Sequence, residues 1–303
     1  MTRITPRRRY TEFPARVYVT YNRTQGSLDI QYAESISYPT PNIYYSTGGS
    51  PPFNPDSWTP KNSNEPYLDW LDFILGQSTI PQTVSTSYGD DEQTVPQDYA
   101  TSVCNLFAQL GARGVSVLFA SGDFGVGGGA CLSNSGTIDS TQFIPIFPAS
   151  CELPSLDIYI RFTRYGGPGP FVTAVGGTVR VNPEVAASLS GGGFSKYFSR
   201  PAYQDGPVSA YLQSIDSMYS GLYKCVSDFG VRRVLRSSQI FSRSGRGYPD
   251  ISAQAINFQV VLGGKDIIGS GTSCSAPVRL SSLRPSQELA SRIDRPQQAS
   301  SPF

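Results

Sequence analysis

Hydrophobic and polar positions fall into short runs of two kinds. From Tyr67 the apolar residues Leu68, Leu71, Ile74 and Leu75 continue at helical spacing up to Gly76. This predicts a helix capped by Asn64, with Glu65 and Pro66 in its first turn. The stretch DYATSVCNLFAQLGARG (98–114) is a second amphipathic helix with a glycine stop. TVSTSYG (83–89) is a β-rich run. GVSVLFASGD (114–123), FVTAVGGTV (171–179) and FQVVLGG (258–264) are short, continuously apolar runs of the kind a buried parallel sheet requires. LDIQYAESI (28–36) reads as a strand entering a loop or helix, and residues 37–64 as a long loop. Strand, helix and strand in this order predict an α/β fold with a mainly parallel sheet flanked by helices.

Composition narrows the chemistry. The 303 residues include 30 glycines and 24 prolines, which points to many tight turns. At 39% hydrophobic and 16% charged, the chain is neither disordered, collagen-like nor a coiled coil. A net charge of +1 gives no field to recruit nucleic acid or a membrane surface, so neither is an expected partner. A monomer is expected. No apolar run approaches the ~18–20 residues of a membrane span. MTRITPRRRY is basic but no apolar segment comes after it, so it does not read as a signal peptide. The chain has no histidine. That excludes Ser-His-Asp and Cys-His catalysis and every histidine metal site. The five cysteines form no CxxC pair. Cys131 and Cys151 bracket a loop-like stretch and either pair in an oxidising compartment or stay as two buried thiols.

Three constellations can carry chemistry, each with a plainer alternative. GTSCSAP (271–277) places Ser273 at a helix start, where backbone N–H groups face whatever its hydroxyl attacks; otherwise Ser273 is only an N-cap. Glu65 and Asp69 share a helical face at i, i+4 spacing, or else form a solvated acidic first turn. Asp123 ends an apolar strand, where α/β sheets bind ligands, or is satisfied by its own glycine-rich loop. GVGGGA (125–130) matches a dinucleotide fingerprint, but the next residues, CLSNSG, read as loop, so no nucleotide is expected. Together the three constellations make one mechanism. A serine nucleophile without histidine needs a carboxylate base, held by a second carboxylate. A third, protonated carboxyl donates to the oxyanion. A carboxylate base titrates near pH ~4, which predicts work in acid.

The strings LDIQY, NEPYLDWLDFIL, VSTSYGDDEQ, SVLFASGDFGVGGGACLS, FPASC, FVTAVGGTV, SGGGFS, GYPDISAQA and SGTSCSAP, in this order, resemble the sedolisin family of serine-carboxyl peptidases, which includes the tripeptidyl-peptidases. The resemblance implies a subtilisin-like α/β fold and hydrolysis of peptide bonds in acid, by a secreted, extracellular protein acting on peptide or protein substrates. It implies Ser273 as nucleophile, Glu65 as general base, Asp69 as its orienting partner and Asp123 as oxyanion stabiliser. It also implies that Ser190, Gly191, Gly192 and Gly193 of SGGGFS line the substrate cleft. It spans residues 27–277, between a basic N-terminal stub (1–26) and a polar tail (278–303).

The departures are specific. Residues 152–170 and 224–243 interrupt family-like strings abruptly, as read-through intron sequence would. After Pro277 the tail lacks the apolar helix face and the calcium ligands of the family, so no cofactor is expected in this chain and the fold is expected to be incomplete at the C-terminus. Pro285 would break a helix there, at about 3 kcal/mol. The alternative expectation is therefore a catalytically inactive, peptide-binding remnant.

Overall fold

The structure is a computed structural model that describes residues 10–12, 23–128, 131–134, 142–152, 171–218 and 241–279. The interrupting stretches 152–170 and 224–243, the stub 1–26 and the tail 278–303 lie wholly or mostly outside the described residues.

The central sheet is parallel in the order β11-β7-β5-β3: Ile251–Gln254, Thr173–Val179, Ser116–Ala120 and Thr83–Thr86. The short β8 (Val185–Ala186) pairs antiparallel with β7. Among the described residues four further pairs stand apart: β1 (Tyr10–Glu12) with β2 (Tyr44–Ser46), β4 (Asp90–Asp91) with β6 (Ile146–Phe147), β9 (Gly193–Ser199) with β10 (Gly245–Tyr248), and a hairpin of β12 (Phe258–Leu262) with β13 (Lys265–Gly269). Two helices cover one face of the central sheet, α2 (Tyr67–Leu75) and α3 (Gln97–Ala112). Side chains alternate along β5. Val117 and Phe119 pack with Leu71, Ile74, Phe107 and Leu110 of these helices. Leu118 and Ala120 turn to the opposite face, where they meet Val175 and Ala276. The β5 run is apolar throughout because both faces are covered, as its sequence predicts. Burying each such large side chain contributes about 1.5–3 kcal/mol. A smaller cluster forms where Val208, Leu212 and Ile215 of α4 (Asp205–Met218) meet Phe194 of β9 and Phe241.

The second face is covered by α1 (Arg23–Ser37) and α5 (272–279). The strand expected at 28–36 is thus part of a helix. Leu28 and Tyr32, one turn apart, pack on Phe258, Val260 and Ile267. The Gln31 amide exchanges two hydrogen bonds with the backbone of Val261, at 2.9 and 3.0 Å. These tertiary contacts outweigh the strand-like look of LDIQY. Residues 258–264 also differ from expectation. β12 (Phe258–Leu262) is half of an antiparallel hairpin with β13 (Lys265–Gly269), not a buried parallel strand. Gly263 and Gly264 both take positive φ, which folds the chain straight back.

Two further corrections are local. The cap of α2 is Pro66, without a side-chain bond, whereas Asn64 is buried and bonds Thr94. Cys151 pairs with Cys104 rather than with Cys131, joining α3 to the segment after β6. Cys131 is also disulfide-bonded, and Cys274 is free and buried.

Between β10 and β11, the GYPD string builds a buried ionic cluster. Arg246, fully buried, lies 2.6 Å from Asp250 and 3.9 Å from Glu152, which also accepts from the Tyr203 hydroxyl at 3.0 Å.

Candidate active site

The carboxyl ends of β3 and β5 and the start of α5 meet at one cavity of about 320 Å³, lined by Gln25, Ser87, Asp90, Asp91, Asp123 and Ser273 among others. Parallel strands all end on the same side, which makes this edge the natural crevice of such a sheet.

Ser273 sits in the first turn of α5. The helix is fixed beneath it: Ser275 Oγ bonds the Ala253 and Gln254 carbonyls at 3.0 and 3.1 Å, and Ala276 packs on β5 and β7. Ser273 Oγ donates to the Ser87 carbonyl at 3.2 Å. The neighbouring Cys274 thiol is pushed up to about 12 by burial, so it stays protonated and is no rival nucleophile.

Asp123 comes just after β5 and reaches α5. Its Oδ1 accepts from the Thr272 N–H at 2.6 Å and from Thr272 Oγ1 at 2.8 Å. It is therefore satisfied by the start of α5 rather than by its own glycine-rich loop. Gly271 permits the approach, because a Cβ there would stand 2.5 Å from Asp123 Oδ2. Asp123 and Ser273 are brought together, one on each side of Thr272.

Glu65 and Asp69 are not joined to them. Helix α2 begins at Tyr67, so Glu65 precedes the helix and the two acids do not share a helical face. Asp69 is exposed and lines neither this cavity nor its larger neighbour. Glu65 is half-buried and lines the neighbouring cavity, about 1080 Å³, together with Asp29. Burial raises the Glu65 carboxyl above its ordinary value. Its N–H donates to Asp90 at 3.3 Å.

The groups connected to Ser273 come from α1 instead. Gln25 and Asp29 lie one turn apart, and Gln25 Nε2 donates to Asp29 Oδ1 at 3.2 Å. Ser87 Oγ donates to the same oxygen at 2.8 Å and stands 3.3 Å from the Ser273 carbonyl. Burial lifts the Asp29 carboxyl to about 7, against the two hydrogen bonds that favour its ionised form. Sequence reasoning misses this pair because LDIQY reads as a strand. The available signal is helical spacing, which sets Gln25, Asp29, Ala33 and Ser37 on one face.

Other acids crowd the same edge. Asp90 is held well above the usual carboxylate range by burial, against the hydrogen bond from the Glu65 N–H and with the charges of Glu65 and Asp91 adding to the rise. Asp91 is pushed up to about 7 by burial and by Asp56, with Lys196 opposing. Ser190, Gly191, Gly192 and Gly193 do not line the Ser273 cavity. They brace the turn that carries Asp123: Gly191 N–H donates to Gly122 O at 2.6 Å, and Ser121 Oγ donates to Gly191 O at 2.8 Å. Among the described residues no three His, Cys, Asp or Glu side chains could together hold a metal ion.

No family model matches the chain. Curated relatives do. It is 41% identical over 268 residues to tripeptidyl-peptidase sed4 of Aspergillus fumigatus, covering 86% of this chain and 40% of that protein. It is 44% identical over 261 residues to tripeptidyl-peptidase SED4 of Arthroderma otae, covering 84% of this chain and 37% of that protein. The chain spans about two fifths of the length of the relatives it matches. Among solved structures, a Pseudomonas sedolisin (serine-carboxyl proteinase) complexed with two molecules of pseudo-iodotyrostatin aligns with a TM-score of 0.45 and 20% identity, over 75% of this chain and 51% of that one.

Proposed function

The chain belongs to the sedolisin family, and from that premise we propose that it binds an extended peptide across Ser273 and hydrolyses peptide bonds as a serine-type peptidase of low turnover. The relatives' names favour release of tripeptides as the form of that hydrolysis. Ser273 Oγ is the nucleophile. Its attack on the peptide carbonyl carbon forms the Oγ–C bond, moves the carbonyl electrons onto oxygen and gives the Oγ proton to a carboxylate base; collapse breaks the C–N bond as that proton passes to the leaving amine, and water then hydrolyses the acyl-enzyme ester. Asp123 Oδ1 is occupied by Thr272, which leaves Oδ2 as the atom that would serve that oxyanion. The carboxylate that serves Ser273 is Asp29. The observation that carries this assignment is that Ser87 is fastened to both residues: its Oγ donates to Asp29 at 2.8 Å and stands 3.3 Å from the Ser273 carbonyl, and its own carbonyl accepts from Ser273 Oγ at 3.2 Å. No hydrogen bond among the described residues joins Glu65 or Asp69 to it, so the geometry favours α1 over the 65–69 stretch for the base and its partner.

A second reading has its own observation. Gln25 occupies the outer place of the α1 pair, and an amide cannot take a proton. Ser273 Oγ meanwhile donates to a carbonyl rather than to a base. A peptide-binding protein without turnover fits both facts. An extracellular setting is proposed on the Cys104–Cys151 bridge and the bonded Cys131, which suit an oxidising compartment.

A chromogenic tripeptide and a longer internally quenched peptide, assayed from about pH 3 to 8 beside Ser273→Ala, separate the readings. Release that vanishes in the variant supports the peptidase. Saturable peptide binding with no release supports the second reading, and neither binding nor release would sink both.

A further inference from the structure

Two large aromatic side chains stand in the open beside Ser273. Trp58 is 53% exposed and Phe124 is 67% exposed, and both line the Ser273 cavity. They arrive from different places. Phe124 comes next after Asp123, beyond the end of β5. Trp58 belongs to the loop before α2, where its N–H and that of Thr59 both donate to Asp56 Oδ1, at 2.9 and 2.6 Å. The other Asp56 oxygen accepts from buried Gln93 at 2.6 Å, which ties the Trp58 turn to the core. Phe124 is held from behind, since Gly125 N–H donates to Leu189 O at 3.0 Å. Neither ring contacts another aromatic ring among the described residues.

Packing in the fold does not account for these two rings. Exposed apolar surface gains free energy when a partner covers it, and aromatic side chains on fixed backbones lose little entropy in doing so. Among the described residues no lysine or arginine lines this cavity, whereas Asp90, Asp91 and Asp123 do. An acidic peptide side chain would find no cation in this lining, and an apolar one would meet Trp58 and Phe124.

We infer that Trp58 and Phe124 form an apolar subsite that selects peptides with a large hydrophobic or aromatic side chain close to the bond held at Ser273. The inference rests on reading the Ser273 cavity as a peptide site.

The test uses the full chain with Ser273→Ala, so that nothing is cleaved. Binding is measured by calorimetry for hexapeptides identical except for Phe, Ala or Glu at one central position, each position tried in turn. At one position the Phe peptide should bind about tenfold tighter than the Ala peptide, with the Glu peptide weakest. Trp58→Ala and Phe124→Ala should each bring the Phe and Ala peptides within about threefold of each other, while the Ala peptide changes less than about twofold. Trp58→Phe and Phe124→Tyr should retain the preference. All three peptides weakening equally in the alanine variants, or the Phe preference persisting in them, would overturn the subsite while leaving the peptide site standing. No binding of any peptide to the parent would overturn the peptide-site reading and the subsite together.

Discussion

Gln25 Nε2 donates a 3.2 Å hydrogen bond to Asp29 Oδ1 across one turn of α1, and the oxygen that accepts it also accepts from Ser87. An amide therefore stands beside Asp29 in the lining of the Ser273 cavity, where a carboxylate would be a candidate base. A positioned general base contributes about 10²–10⁴-fold to rate. Gln25→Glu should raise Ser273-dependent peptide hydrolysis by about 10²-fold, with the new carboxyl and Asp29 titrating as a coupled pair. Turnover in this variant at or below the wild-type level, in a folded sample, would remove α1 from the mechanism.

In the wild type, the one carboxylate that hydrogen bonds among the described residues connect to Ser273 through Ser87 is Asp29, and it is raised to about 7. The base-dependent rate should therefore climb with pH through about 7 rather than through the ~4 of an unperturbed carboxylate. A pH profile of kcat/KM measures this directly, and an acid limb near 4 would rule out Asp29 as the base.

Stability should run the other way. Asp29 and Asp91 are both raised to about 7, and Asp90 and Glu92 are raised as well. A carboxyl with a raised folded value holds its proton more tightly in the fold. Its contribution is complete below the unfolded value near ~4 and is lost as pH climbs to about 7. Tm should therefore be higher at pH 5 than at pH 8, and Asp29→Asn and Asp91→Asn should each flatten that slope. A Tm that rises with pH over this range would contradict the assignment.

Gly271→Ala puts a methyl 2.5 Å from Asp123 Oδ2, on a residue whose φ is +157°. The strain should cost about 1–3 kcal/mol. Displacing Asp123 from Thr272 should cut Ser273-dependent hydrolysis by about 10²-fold, the usual weight of an oxyanion donor. Urea unfolding and steady-state kinetics on one preparation would read both effects, and unaltered kinetics would argue that Asp123 only caps α5.

The bridge between Cys104 and Cys151 closes a span of 47 residues. The double variant Cys104→Ser/Cys151→Ser should lose about 2–4 kcal/mol of unfolding free energy. Equal stability with and without reductant would show that the bridge is not formed in solution.

Much of the scaffold was legible in the chain alone. Helix α3, the end of α2 at Gly76, and strands β3, β5 and β7 are read from periodicity and glycine stops, because burial on a defined face leaves a repeat of 3.6 residues or a continuous apolar run. Ser273 and Asp123 were legible for a related reason: each sits where an element begins or ends, next to glycines that allow close approach. The partner of Ser273 was not legible. Whether LDIQY is strand or helix depends on the β12–β13 hairpin, whose Val261 lies 230 residues beyond Gln31 in the chain, accepting Leu28, Gln31 and Tyr32. Only that packing turns Gln25 and Asp29 toward Ser87 and Ser273. Neither the early position of Glu65, ahead of its helix, nor the exposure of Asp69 could be read from their spacing. Local spacing can put two carboxylates on one face, but the contacts that carry that face to a nucleophile arise only from the tertiary fold.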